Sequence, residues 1–162
     1  PTDSIAGIWT DILTITKEFR DSVIKNDKFI IFGMNGVDSE TWAFYTGKKL
    51  KNGEFPIVWI APGGLNNSYF VLTNSSFDRF LTIQYYLLKS GDYEAEMSYE
   101  QANKNSNNKE YMNKIEAKQQ QLIDSLYKKY DPMIPIPRLD FYQQKLTLEQ
   151  LDKLIDKINN DE

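Results

Sequence analysis

The chain has 162 residues, of which 41% are hydrophobic and 14% aromatic, and a formal net charge of −4. That length is one domain's worth, and its apolar content builds a core without staples, which argues against general disorder. Cysteine and histidine are both absent, so disulfide frameworks, thiolate nucleophiles, Ser-His-Asp and Cys-His arrangements and His- or Cys-built zinc sites are excluded.

Carboxylate, Lys, Tyr and Ser chemistry remain open, and nothing in the chain calls for a cofactor. Basic residues are interleaved with acidic ones rather than gathered in a stripe, so nucleic acid is not expected as a partner. No apolar run reaches the roughly 20 residues that cross a bilayer, and Pro1-Thr2-Asp3 does not open a signal peptide. No membrane partner and a cytoplasmic address are the expectations. Pro1 is not an initiator methionine, which points to processing or trimming upstream.

In chain order, Phe19 and Val23 at helical spacing predict a short helix near Thr16 to Lys25. Phe29-Ile30-Ile31-Phe32 is a β-branched and aromatic run closed by Gly33, Asn35 and Gly36, a strand entering a turn. Glu40 to Tyr45 follows as a second strand in a hairpin, with Trp42 and Phe44 on one face and Thr41, Ala43 and Tyr45 on the other. Gly47 and the segment from Lys48 to Gly53 supply the next turn. Phe55 to Ile60 is a third strand, with Pro56 near its beginning where a missing N–H is tolerated. Tyr69 to Leu72 is a fourth.

Ser75 then stands as a helix cap, with Asp78 at the box position. Phe77, Phe80, Leu81, Leu87 and Leu88 give the helix an apolar side to lie across a sheet face. Composition changes after Gly91, and Tyr93 to Lys109 reads as exposed and partly helical. Tyr111, Ile115, Leu122, Leu126 and Tyr130 mark the longest helix, stopped at Asp131-Pro132 because the residue before proline leaves the α region. Pro132, Pro135 and Pro137 hold an extended linker. Thr147 and Gln150 then form a capping box flanked by a leucine staple, opening a last helix whose Leu148, Leu151, Leu154, Ile155 and Ile158 make one apolar stripe. The expected organisation is an α+β domain: an antiparallel sheet of about four strands packed against helices over residues 1–91, and a helical extension over 92–162 packing on the same domain.

Phe29 to Gly33 with Asn35-Gly36, then Thr41-Trp42-Ala43-Phe44-Tyr45, then Phe55-Pro56-Ile57-Val58-Trp59, and finally Asn74-Ser75-Ser76-Phe77-Asp78-Arg79-Phe80-Leu81 follow one another in an order that resembles the SUKH superfamily, best known for its SMI1/KNR4 branch. The likeness spans approximately Ser4 to Leu88. It implies a protein-binding domain without catalytic residues: many bacterial members are immunity proteins that bind and neutralise toxins, and fungal members are scaffolds. The family's usual opening helix and Leu-Pro segment do not precede Ser4. Either an N-terminal portion has been removed, or the two C-terminal helices take its place.

Five residues are the candidate partner contacts. Trp42 and Trp59 on neighbouring strands are anchors if exposed and core if not. Asp38, Glu40 and Glu54 at the strand turns form an acidic rim suited to steering a basic toxin, or else are ordinary solvated charges. Asp38 with Glu40 lacks the third ligand that a metal site needs. The last helix's stripe is either an internal contact or a docking surface, and the alternative function is a scaffold or adaptor whose long helix and last helix recruit a regulatory partner.

Overall fold

The structure, a computed structural model, describes residues 27–34, 41–61, 69–90, 109–138 and 144–160. Asp38, Glu40, the predicted helix from Thr16 to Lys25 and most of the polar tract after Gly91 lie outside the described residues. The described residues form an α+β arrangement of four strands and three helices. The strands are β1 (Phe29–Met34), β2 (Thr41–Tyr45), β3 (Ile57–Ala61) and β4 (Tyr69–Asn74), and the helices are α1 (Phe77–Lys89), α2 (Lys109–Tyr130) and α3 (Leu148–Asn160). The strands make one antiparallel sheet in the order β1-β2-β3-β4. Two compact units result: Pro1–Leu72 with Lys145–Glu162, and Thr73–Gln144. Helices α1 and α2 fall in the second unit, and α3 in the unit that holds β1 to β3.

In the sheet unit, burial along β2 alternates as the sequence pattern requires: Thr41, Ala43 and Tyr45 are buried, Trp42 and Phe44 half-buried. β1 pairs with β2 through Phe29↔Tyr45 and Ile31↔Ala43, then shifts register to Gly33↔Trp42, leaving Phe32 as the extra residue of a bulge. The sequence alone closes this strand at Gly33, and the bulge carries β1 on to Met34. The next turn closes with Gly53 N–H donating to Leu50 O at 2.8 Å and Leu50 N–H to Glu54 O at 3.0 Å. Gly53 has φ +84°, a left-handed conformation that glycine adopts without steric cost. In β3, Ile57, Val58, Trp59 and Ile60 are all buried.

Phe29 on one outer strand stacks on Phe70 of the other, with ring centroids 4.9 Å apart and planes 6° from parallel. Three strand spacings in a flat sheet come to about 14 Å, so the sheet must curl for these rings to meet. Leu146 extends the edge of the sheet: it exchanges two backbone hydrogen bonds of 2.8 Å with Phe70. Directly after it, Thr147 Oγ1 accepts from Gln150 N–H at 3.3 Å and Gln150 Oε1 accepts from Thr147 N–H at 2.8 Å. This is the capping box expected from the sequence, and it fixes where α3 starts. Leu151, Ile155 and Ile158 of α3 are buried.

In the second unit, α1 is capped by Ser76, not Ser75. Ser76 Oγ accepts from Arg79 N–H at 3.2 Å. Ser75 is taken by another partner: its N–H donates to Asp131 Oδ2 at 2.9 Å and its Oγ–H to Asp131 Oδ1 at 2.5 Å, and Asn74 Nδ2 donates to the same carboxylate at 3.3 Å. Asp131 follows the last residue of α2, as the Asp-Pro stop requires, so one buried carboxylate ties the end of α2 to the residues before α1. The two helices also meet through Tyr86 and Tyr130, whose rings stack 4.9 Å apart.

Candidate interaction surfaces

Among the described residues, polar side chains converge within each of the two units. In the sheet unit, Tyr45 is completely buried and its hydroxyl donates to Asp152 Oδ1 at 2.5 Å. Burial first, and then this bond to a carboxylate, hold the Tyr45 hydroxyl protonated well above the ordinary tyrosine range. Lys48 Nζ bonds Asp156 Oδ2 at 2.5 Å, and Asn159 Nδ2 donates to Lys49 O at 3.0 Å. Asp152, Asp156 and Asn159 share one side of α3 by their spacing, and that side meets the chain leaving β2. In the helical unit, burial pushes the Tyr127 hydroxyl up and the nearby Asp131 charge adds to it, with a smaller opposing effect from its bond to Asn74. Both constellations fasten elements together. Among the described residues no group of three or more acidic side chains is placed to hold a metal ion.

The surfaces are more telling. Trp42 and Trp59 are direct cross-strand partners in β2 and β3, so both project from the same side of the sheet. They have different fates. Trp59 is only 1% exposed, a core residue that no partner reaches without unfolding, while Trp42 is half-buried. Phe44 stands two residues along β2 on Trp42's side, and the Phe32 ring lies 5.0 Å from it. The result is a partly open aromatic row over β1 and β2, with Tyr45 and α3 on the opposite side. Glu54 is exposed in the turn between β2 and β3, where its backbone shapes the loop.

The second surface is on α1. The sequence alone puts Phe77, Phe80, Leu81, Leu87 and Leu88 on one apolar side, but these residues divide between two faces. At 100° per residue, Phe80, Ile83 and Leu87 share one arc, with Ile83 fully buried. Phe77, Leu81, Tyr85 and Leu88 occupy the other, with exposures of 38, 50, 57 and 69%. Tyr85 was not singled out by sequence reasoning. Its place four residues after Leu81 carried the signal, but two adjoining apolar arcs, bridged by the Phe77–Phe80 stack, read in sequence as one wide stripe.

No described helix is long and apolar enough to cross a membrane. No family model, curated protein or solved structure matches this chain.

Proposed function

We propose that this chain is a protein-binding domain, an immunity protein that neutralises a toxin by direct contact through the aromatic side of its sheet. The observation that carries the reading is the row of Trp42, Phe44 and Phe32, held partly open on a sheet whose other side is fastened to α3 by the Tyr45–Asp152 bond. Aromatic side chains on a rigid platform supply large contact area at little ordering cost, which is what interface anchors need. The net charge of −4 and the exposed Glu54 favour a basic partner by electrostatic steering. The motif order supports the immunity role. Against the adaptor reading, Leu151, Ile155 and Ile158 of the α3 stripe are buried, and Leu148 and Leu154 are half-buried.

The test is capture from the source organism's lysate by the wild-type chain and by a Trp42→Ala, Phe44→Ala double variant. A protein retained by the first and lost by the second, which arrests growth when expressed alone and ceases to do so when the chain is co-expressed, supports the proposal. Identical capture by both chains, or a captured protein without toxicity, overturns it.

A further inference from the structure

Helices α1 and α2 meet at two tyrosines in a chain that has no cysteine. Tyr86 lies in the last turn of α1 and Tyr130 is the last residue of α2. Their rings stack with centroids 4.9 Å apart and planes 13° from parallel. The Lys129 Nζ sits 4.8 Å from the Tyr130 ring centroid. The Lys129 ammonium first, and then the adjoining Tyr86 hydroxyl, hold the Tyr130 hydroxyl below the ordinary tyrosine value, while Tyr130 holds that of Tyr86 above it. One ring of the pair is thus closer to a phenolate, the form that gives up an electron more readily. Both side chains are half-buried, within reach of a small oxidant yet fixed against each other.

Tyr85 is the internal comparison. It is the more exposed residue, at 57%, but its ring meets Tyr86 edge-on at 74°. Exposure alone would select Tyr85 for oxidative coupling, whereas face-to-face geometry selects Tyr86 with Tyr130.

We infer that Tyr86 and Tyr130 are a cross-linking site, at which a one-electron oxidant joins the two rings through their ortho carbons into a dityrosine that staples α1 to α2. Each tyrosine gives up one electron and its hydroxyl proton. The two radicals pair in a new carbon–carbon bond, and the hydrogens displaced from the two ortho carbons return to the hydroxyl oxygens as protons. Two electrons and two protons leave overall, and with a haem peroxidase as the oxidant they reduce one hydrogen peroxide to two waters. Rings already held side by side need no encounter by diffusion. The bond constrains the unfolded chain as a disulfide does, in a sequence with no cysteine to form one.

Treatment of the full chain at low concentration with a haem peroxidase and hydrogen peroxide tests this, with free tyrosine in a parallel tube to show that the oxidant is active. The monomer is isolated in denaturant and digested with trypsin. The expected product is the peptide ending at Lys89 joined to the peptide ending at Arg138, two hydrogens lighter than their sum, with fragment ions placing the bond on Tyr86 and Tyr130. Tyr86→Phe and Tyr130→Phe should each abolish this product, and Tyr85→Phe should leave its yield unchanged, with the circular dichroism of all three matching the wild type. A monomer without the linked peptide, a bond on Tyr85, or a yield that falls as far in Tyr85→Phe as in Tyr86→Phe overturns the inference.

Discussion

The Tyr45 hydroxyl donates to Asp152 Oδ1 at 2.5 Å across 107 residues of sequence, joining the last residue of β2 to the last helix. Because Tyr45 is fully buried, removing its acceptor leaves a polar group without water. Asp152→Ala should destabilise the chain by about 1–3 kcal/mol, and Asp152→Asn, which keeps an acceptor oxygen, by less. Urea denaturation with a fluorescence or dichroism readout measures both.

Gly47 makes room for that bond. A Cβ there would overlap the Tyr45 hydroxyl and ring carbon Cζ and approach Lys28 Cδ to 2.9 Å. Gly47→Ala should therefore cost about 1–3 kcal/mol by overpacking, and pairing it with Tyr45→Phe, which removes the crowding oxygen, should recover part of the loss. Gly53→Ala meets no side chain but places alanine at φ +84°, so its cost, about 1 kcal/mol, should not respond to Tyr45→Phe.

Alkaline pH probes the same tyrosine. The hydroxyls of Tyr45 and Tyr127 are both raised above the ordinary value of 10.0 in the folded chain. The folded state thus holds protons that the unfolded state releases. The stability these groups contribute is complete below pH about 10 and is lost as pH rises beyond it. Tyr45→Phe and Tyr127→Phe should each flatten the decline in unfolding free energy between pH 9 and 11.

Asp131 is the corresponding tie in the helical unit. Asp131→Ala would remove the shared acceptor of the Ser75 N–H and hydroxyl bonds and should cost about 2–4 kcal/mol, whereas Thr147→Ala, which loses only one cap at the surface, should cost about 1 kcal/mol. Thermal unfolding followed by circular dichroism ranks the two.

Much of this arrangement was legible in sequence because local chemistry decides it. The Thr147–Gln150 box, the Asp131-Pro132 stop and the alternation along β2 each depend on residues within a few positions of one another. What was not legible depends on contacts distant in sequence. Ser75 has every local property of a cap, yet Asp131, 56 residues on, takes its N–H and hydroxyl, and the helix starts one residue later. Trp42 and Trp59 read alike as strand aromatics, and they are cross-strand partners on the two inner strands, yet one is half-buried and the other is core. The buried and the exposed apolar arcs of α1 merged for the same reason, since periodicity counts apolar residues without saying which neighbour each will meet. Of the acidic rim, Glu54 is exposed where expected, and Asp38 and Glu40 lie outside the described residues.

The central claim is that the chain binds a protein partner through the aromatic row over β1 and β2. Isothermal titration of the captured partner into the wild type, Trp42→Ala and Phe44→Ala tests it most directly. The account predicts that each substitution weakens binding by about 2 kcal/mol or more while the melting temperature of the free chain falls only slightly, since both side chains are already half in water. Unchanged affinity in both variants would contradict it.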